Sequence, residues 1–120
     1  MDRAALGLLG EDVAARHLAA AGCRILDRRW RSAHGEIDLV ADDRGEVVFV
    51  EVKTRRGAGF GLPEEAVTAA KRAHLRASAE AYLQAKGWTR RPYRIDIVAV
   101  SLVGGVPALA HFRSAVGEED

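Results

Sequence analysis

The chain has 120 residues, 48% hydrophobic and 29% charged, with a formal net charge of +1. This balance indicates a soluble globular chain rather than a disordered one and excludes a strong global positive field. No apolar run approaches the roughly 18 residues of a membrane helix. The length suits one domain, residues 1–120, with a core of its own. Asp2 and the lack of a cleavage site speak against a signal peptide. Cys23 is the only cysteine, which rules out internal disulfides and thiolate metal clusters and suits a reducing cytoplasm.

In chain order, residues 4–21 read as a helix closed by Gly22. Residues 23–31 read as a strand. Residues 36–42 and 47–54 form a hairpin around Asp43-Arg44-Gly45-Glu46, with Gly45 supplying a positive φ. Gly57 to Gly61 is a loop without the Gly-Lys-Ser/Thr ending of a nucleotide-binding loop. A second helix runs from Pro63, with Glu64 and Glu65 in its first turn, to Lys86 and stops at Gly87. Tyr93 to Leu102 is a β-branched strand, Gly104-Gly105 a turn, and Ala108 to Arg113 a last, weaker strand. The order is α-β-β-β-α-β-β. The crossover helix implies a parallel pair inside a mixed sheet flanked by helices.

The hairpin carries the chemistry. Gly35-Glu36-Ile37-Asp38-Leu39-Val40 and Val48-Phe49-Val50-Glu51-Val52-Lys53 place charged residues inside apolar sequence. Glu51 and Lys53 share one strand face, roughly 6–7 Å apart. With Arg44-Gly45 as the loop, Val40 lies opposite Phe49, Asp38 opposite Glu51 and Glu36 opposite Lys53. Two facing carboxylates at about 5 Å cost roughly 3 kcal/mol at an effective dielectric near 20. A cation or a shared proton removes that cost. Alternation of this kind also describes a hairpin with one wet face, but Phe49 and Val47 share the face of Glu51 and argue against full solvation.

Glu11 sits among Ala4, Leu8, Ala14, Ala15 and Leu18 on the first helix and needs a metal, an arginine or a route to water. Lys71 interrupts the stripe Val67, Leu75, Ala79. A packed stem with its ammonium in water is the preferred reading there; the alternative points the ammonium at a phosphate or at the acids. Asp96 in a central strand suits a structural partner such as an arginine. His17, His34, His74 and His111 show no paired ligand spacing, although His34 stands next to the Gly-Glu-Ile-Asp run and is a candidate for the site mouth. Fifteen arginines against three lysines suit bidentate phosphate contacts. The basic candidates for nucleic-acid contact are Arg28, Arg29, Arg31, Arg55, Arg56, Lys71, Arg90 and Arg91.

Gly10-Glu11, Gly35-Glu36-Ile37-Asp38-Leu39-Val40, Phe49-Val50-Glu51-Val52-Lys53-Thr54-Arg55, Phe60-Gly61, Ala66-Val67 with Lys71, and Arg94-Ile95-Asp96 form one ordered set. In this set the chain resembles the restriction-endonuclease-like superfamily and its archaeal Holliday-junction resolvases, and more closely the YraN-type family of uncharacterised bacterial proteins. The superfamily's usual proline before the first Asp is Ile37 here. The resemblance implies a restriction-endonuclease-like core, Asp38 and Glu51 as metal-binding acids, Lys53 as the catalytic lysine, and Glu11 as a helix carboxylate near the metal. The resulting expectation is a nuclease-like protein that uses Mg²⁺ or Mn²⁺ held by Asp38, Glu51 and the carbonyl of Val52. Its substrate would be DNA, with branched or otherwise structured DNA among the candidates. Symmetric cutting of two strands would favour a homodimer. The alternative expectation is a DNA-binding or complex-forming module that keeps the fold without cleaving.

Overall fold

A computed structural model describes residues 2–57 and 67–117. Helix α1 spans Arg3–Ala20, followed by strands β1 (Arg24–Ser32), β2 (Gly35–Asp43) and β3 (Glu46–Arg56). Helix α2 spans Ala69–Lys86, and β4 (Tyr93–Val103) and β5 (Val106–Val116) complete the chain. The element order is the one expected. The strands form a single sheet in the order β1-β2-β3-β4-β5. All neighbours are antiparallel except β3 and β4, which run parallel. No helix among the described residues is long and apolar enough to cross a membrane.

The local signals act as physics requires. Asp2 caps α1 by accepting from Ala5 N at 2.8 Å, and Gly22 follows the helix with φ +95°. At the hairpin, both Arg44 (φ 52°) and Gly45 (φ 99°) are left-handed, the pattern of a two-residue turn whose twist matches its strands. The start of α2 differs from expectation. Thr68 is its N-cap, accepting from Lys71 N at 3.2 Å, so this helix begins at Ala69 rather than Pro63. Pro63, Glu64 and Glu65, like Phe60-Gly61, Ala66 and the acidic tail 118–120, lie outside the described residues. Strand β5 is longer than expected and runs to Val116. A bulge near Ser114 (φ 50°) lets the Ser114 N–H donate to Asp96 at 2.9 Å, and pairing resumes at Ile95–Val116.

The sheet buries both faces. Ile37, Val40, Val47, Phe49, Ile95 and Ile97 pack against Leu75, Ala79, Tyr82 and Leu83 of α2. Leu39, Ala41, Val48, Val50, Val98 and Val100 pack against Ala14 and Leu18 of α1. Cover on both faces explains the unbroken apolar runs of β3 and β4. Helix α1 approaches β3 tightly at Gly10, where an added Cβ would collide with Thr54 Oγ1 and lie 2.9 Å from Thr54 Cβ and Cγ2.

Ile37 and Leu39 sit in opposite core clusters, although residues two apart on a regular strand share a face. The strand therefore changes face at Asp38. On the β1 side the pairing steps from Arg28–Leu39 to Trp30–Ile37, and Arg29, between them, has φ 50°.

Candidate active site

The candidate site lies where β2 and β3 part. Their ladder follows the expected register from Asp43–Glu46 through Val40–Phe49 and ends at Leu39–Val50. The expected ladder pairs Asp38–Glu51 and Glu36–Lys53 are not formed. Instead, Asp38 Oδ2 accepts the Val52 backbone N–H at 2.7 Å. The side chain takes the place of a ladder carbonyl, which seats its carboxyl against β3. Glu51 is 5% exposed, and its carboxyl neighbours that of Asp38 closely enough to act on its protonation. The two acids meet as the hairpin suggested, but through a face change and a side-chain bond rather than across a regular ladder.

Burial is the main reason that the Asp38 carboxyl is pushed up to about 7, with the neighbouring Glu51 charge next. The Val52 N–H and the more distant Lys71 ammonium pull in the opposite direction. Lys71 Nζ stands 3.4 Å from Glu51 Oε2. The approach lacks hydrogen-bond alignment, and Oε2 is a buried atom with no hydrogen-bond partner. The preferred expectation for Lys71, an ammonium free in water, is thus replaced by an ion pair with the acid.

Arg3, Leu6, Gly7, Glu11, Asp38, Glu51, Val52 and Thr54 line a cleft of about 310 Å³ over these acids. Arg3 and Gly7 were not expected there. Their signal was present, because Arg3, Gly7 and Glu11 recur every fourth residue and form one stripe of α1. Glu11 reaches the cleft wall, but its carboxylate receives Arg29 Nε at 2.9 Å, so it is engaged by an arginine. Lys53 follows Glu51 on the same strand face and is half-buried. His34 is exposed and absent from the cleft lining.

The oxygens of Asp38 and Glu51 are the donors that could hold a hard divalent cation here, with the orphaned Oε2 the atom most in need of one. Among the described residues no three His, Cys, Asp or Glu side chains are grouped to hold a metal. With two carboxylates and no third, the set would suit only an ion that keeps much of its water, as Mg²⁺ does with one or two carboxylates.

The basic residues do not form one surface. Arg28 pairs with Asp12 at 2.7 Å, Arg29 with Glu11, and Arg31 with Glu36 at 2.8 Å. Arg91 bonds Asp42 and the Gly45 carbonyl at the hairpin turn and stacks on Trp88. Arg90 is exposed beside it. Arg55 and Arg56 lie exposed at the opposite end of β3, about 30 Å away by strand rise, and take part in no ion pair among the described residues.

Asp96 is structural, as expected. It is fully buried and accepts from Arg94 Nε at 3.1 Å, His111 Nε2 at 2.8 Å and Ser114 N. Burial pushes its carboxyl up, but these bonds outweigh burial and hold it below the usual carboxylate range. His111 Nδ1 meets His17 Nε2 at 3.0 Å, a pairing across 94 residues that no local spacing announces.

The profile of the uncharacterised protein family UPF0102 matches residues 10–100, which include Glu11, Asp38 and Glu51 of the cleft but not Arg3, Leu6 and Gly7. The chain belongs to this family. It is the YraN-type family that the sequence resembles. Relatives include a UPF0102 protein of Rhodococcus jostii, 49% identical over 114 residues that cover 92% of this chain and 95% of the relative. A UPF0102 protein of Dehalococcoides mccartyi is 44% identical over 118 residues, 98% of each chain. Among solved structures, Pyrococcus furiosus SfsA in complex with Ca²⁺ aligns with a TM-score of 0.41 and 12% identity. That alignment covers 93% of this chain, which spans only 64% of the other.

Proposed function

We propose that this UPF0102 protein is a divalent-metal-dependent nuclease-like phosphodiesterase acting on DNA, with branched or structured DNA as the candidate substrate. The observation that carries the reading is the half-buried Asp38 carboxyl beside the buried Glu51 carboxyl, at a strand parting that opens into a cleft. Folding places two like charges together at a cost, and such an arrangement suits a cation site.

Asp38, Glu51 and the Val52 carbonyl would hold Mg²⁺ or Mn²⁺, whose charge would polarise a scissile phosphate and lower the pKa of an attacking water. The Val52 N–H keeps the Asp38 carboxyl oriented toward the cleft. Lys53, two residues beyond Glu51 on its face and outside the cleft lining, would supply positive charge from the cleft's edge to the phosphate as negative charge builds there. Arg3 on the cleft wall offers a contact to a neighbouring phosphate. Arg55 and Arg56, at the strand end beyond Lys53, extend that track.

The test incubates purified protein with single-stranded, duplex, flapped and four-way DNA in Mg²⁺ or Mn²⁺. Wild type should cut at least one of these. Glu51→Ala should abolish cutting, and Lys53→Met should slow it by roughly 10² or more. Equal cutting by wild type and both variants would mark a contaminant and refute the reading. One observation favours a non-cleaving DNA-binding module instead: a protein cation, Lys71, already stands on Glu51. That module would bind the same DNA and leave it intact.

A further inference from the structure

We propose that Lys71 is a built-in competitor for the divalent ion: it pairs with Glu51 and must be displaced for the ion to bind. The inference rests on the metal-dependent reading above and specifies how that site is loaded.

Three observations carry it. The Lys71 ammonium lies 3.4 Å from Glu51 Oε2 on a side chain that is 40% exposed, so it pairs with the acid while keeping a route to water. Glu51 Oε2 is shielded from solvent yet has no hydrogen-bond partner. The ammonium thus neutralises this oxygen without satisfying it, and a cation that bonds it directly would replace Lys71 at a gain. Finally, Lys71 sits in the first turn of α2, next to the Thr68 cap, and that turn contains no acidic residue. A lysine there opposes the helix dipole. Its position is explained by Glu51 and not by the stability of the helix.

The consequence is a linkage. A cation that must leave before the ion arrives weakens the apparent affinity of the ion, and removing its charge restores it. Once displaced, the ammonium stays on a side chain at the rim of the acids, where a phosphate would meet it.

The experiment titrates Mn²⁺ calorimetrically into the full chain at pH 8 and about 0.15 M salt, for wild type, Lys71→Gln, Lys71→Arg and Asp38→Asn. Glutamine keeps a hydrogen-bond donor for Glu51 without the charge. Lys71→Gln should bind Mn²⁺ about tenfold more tightly than wild type, within the usual range of coupling between two ligands of one site. Lys71→Arg should bind with wild-type affinity or below it. Melting curves provide a second readout: Lys71→Gln should melt below wild type in EDTA and gain more from saturating Mn²⁺. If Lys71→Gln binds Mn²⁺ as weakly as wild type or more weakly, while Asp38→Asn loses binding, Lys71 is not a competitor and the inference fails alone. If neither wild type nor Lys71→Gln binds Mn²⁺, the metal-dependent reading falls and takes the inference with it.

Discussion

Replacing Asp38 by asparagine tests the opposed-carboxylate site without any substrate. In the folded protein burial, and then the Glu51 charge, push the Asp38 carboxyl from its ordinary 3.8 up to about 7. A group whose folded pKa is raised holds its proton more tightly in the native state. Its contribution to stability is complete below about pH 4 and is lost as the pH rises through 7. About three pH units at 1.36 kcal/mol each set a ceiling near 4 kcal/mol at pH 8. Asparagine keeps an oxygen for the Val52 N–H and offers an amide to Glu51, so it removes the charge and little else. In EDTA at pH 8, Asp38→Asn should therefore be more stable than wild type by about 2–4 kcal/mol, or roughly 8–15 °C for a domain of this size. The assay is a set of thermal melts of both proteins from pH 4 to 8, read as the difference between them. That difference should close toward pH 4. At pH 8, wild type should gain about 2.7 kcal/mol from Mn²⁺ at a hundred times its dissociation constant. Asp38→Asn should gain almost nothing. If Asp38→Asn is neutral or destabilised in EDTA at pH 8, or the difference does not depend on pH, the two carboxyls do not repel and the reasoning is refuted.

Gly10→Ala would press a methyl group into Thr54, so it should destabilise the protein by about 1–3 kcal/mol in denaturant melts. Thr54→Ala should recover part of that loss, because it removes the Oγ1 and Cγ2 contacts and leaves the tight approach to Cβ. A Gly10→Ala protein of wild-type stability would show that α1 does not lean on β3 there. Arg55→Ala with Arg56→Ala should reduce the salt slope of DNA binding by about one to two. Arg90→Ala, at the far end of the sheet, should leave the slope unchanged; an equal effect at both ends would contradict a DNA track that runs past Lys53.

The sequence alone determined the element order, the two glycine helix stops, the hairpin turn and its register down to Leu39–Val50. These are local outcomes. Side-chain periods of 3.6 and 2 and the positive φ of a two-residue turn are written into neighbouring residues. The same locality brought Asp38 and Glu51 together on paper, since a tight turn leaves few registers. Tertiary structure decided the rest. The ladder stops short of the expected Asp38–Glu51 and Glu36–Lys53 pairs because Asp38 bonds Val52 N and its strand changes faces between α1 and α2. Glu11 turned to Arg29, and Lys71 to Glu51, because docking α1 and α2 on opposite faces of the sheet brings those charges together. Asp96, His111 and His17 join three elements in one chain of hydrogen bonds. The basic residues separated because strand length, which sequence does reveal, carries Arg55 and Arg56 away from the turn that Arg91 binds. Partners of a charge far apart in sequence are chosen by which helix covers which face, and no window of neighbouring residues contains that information.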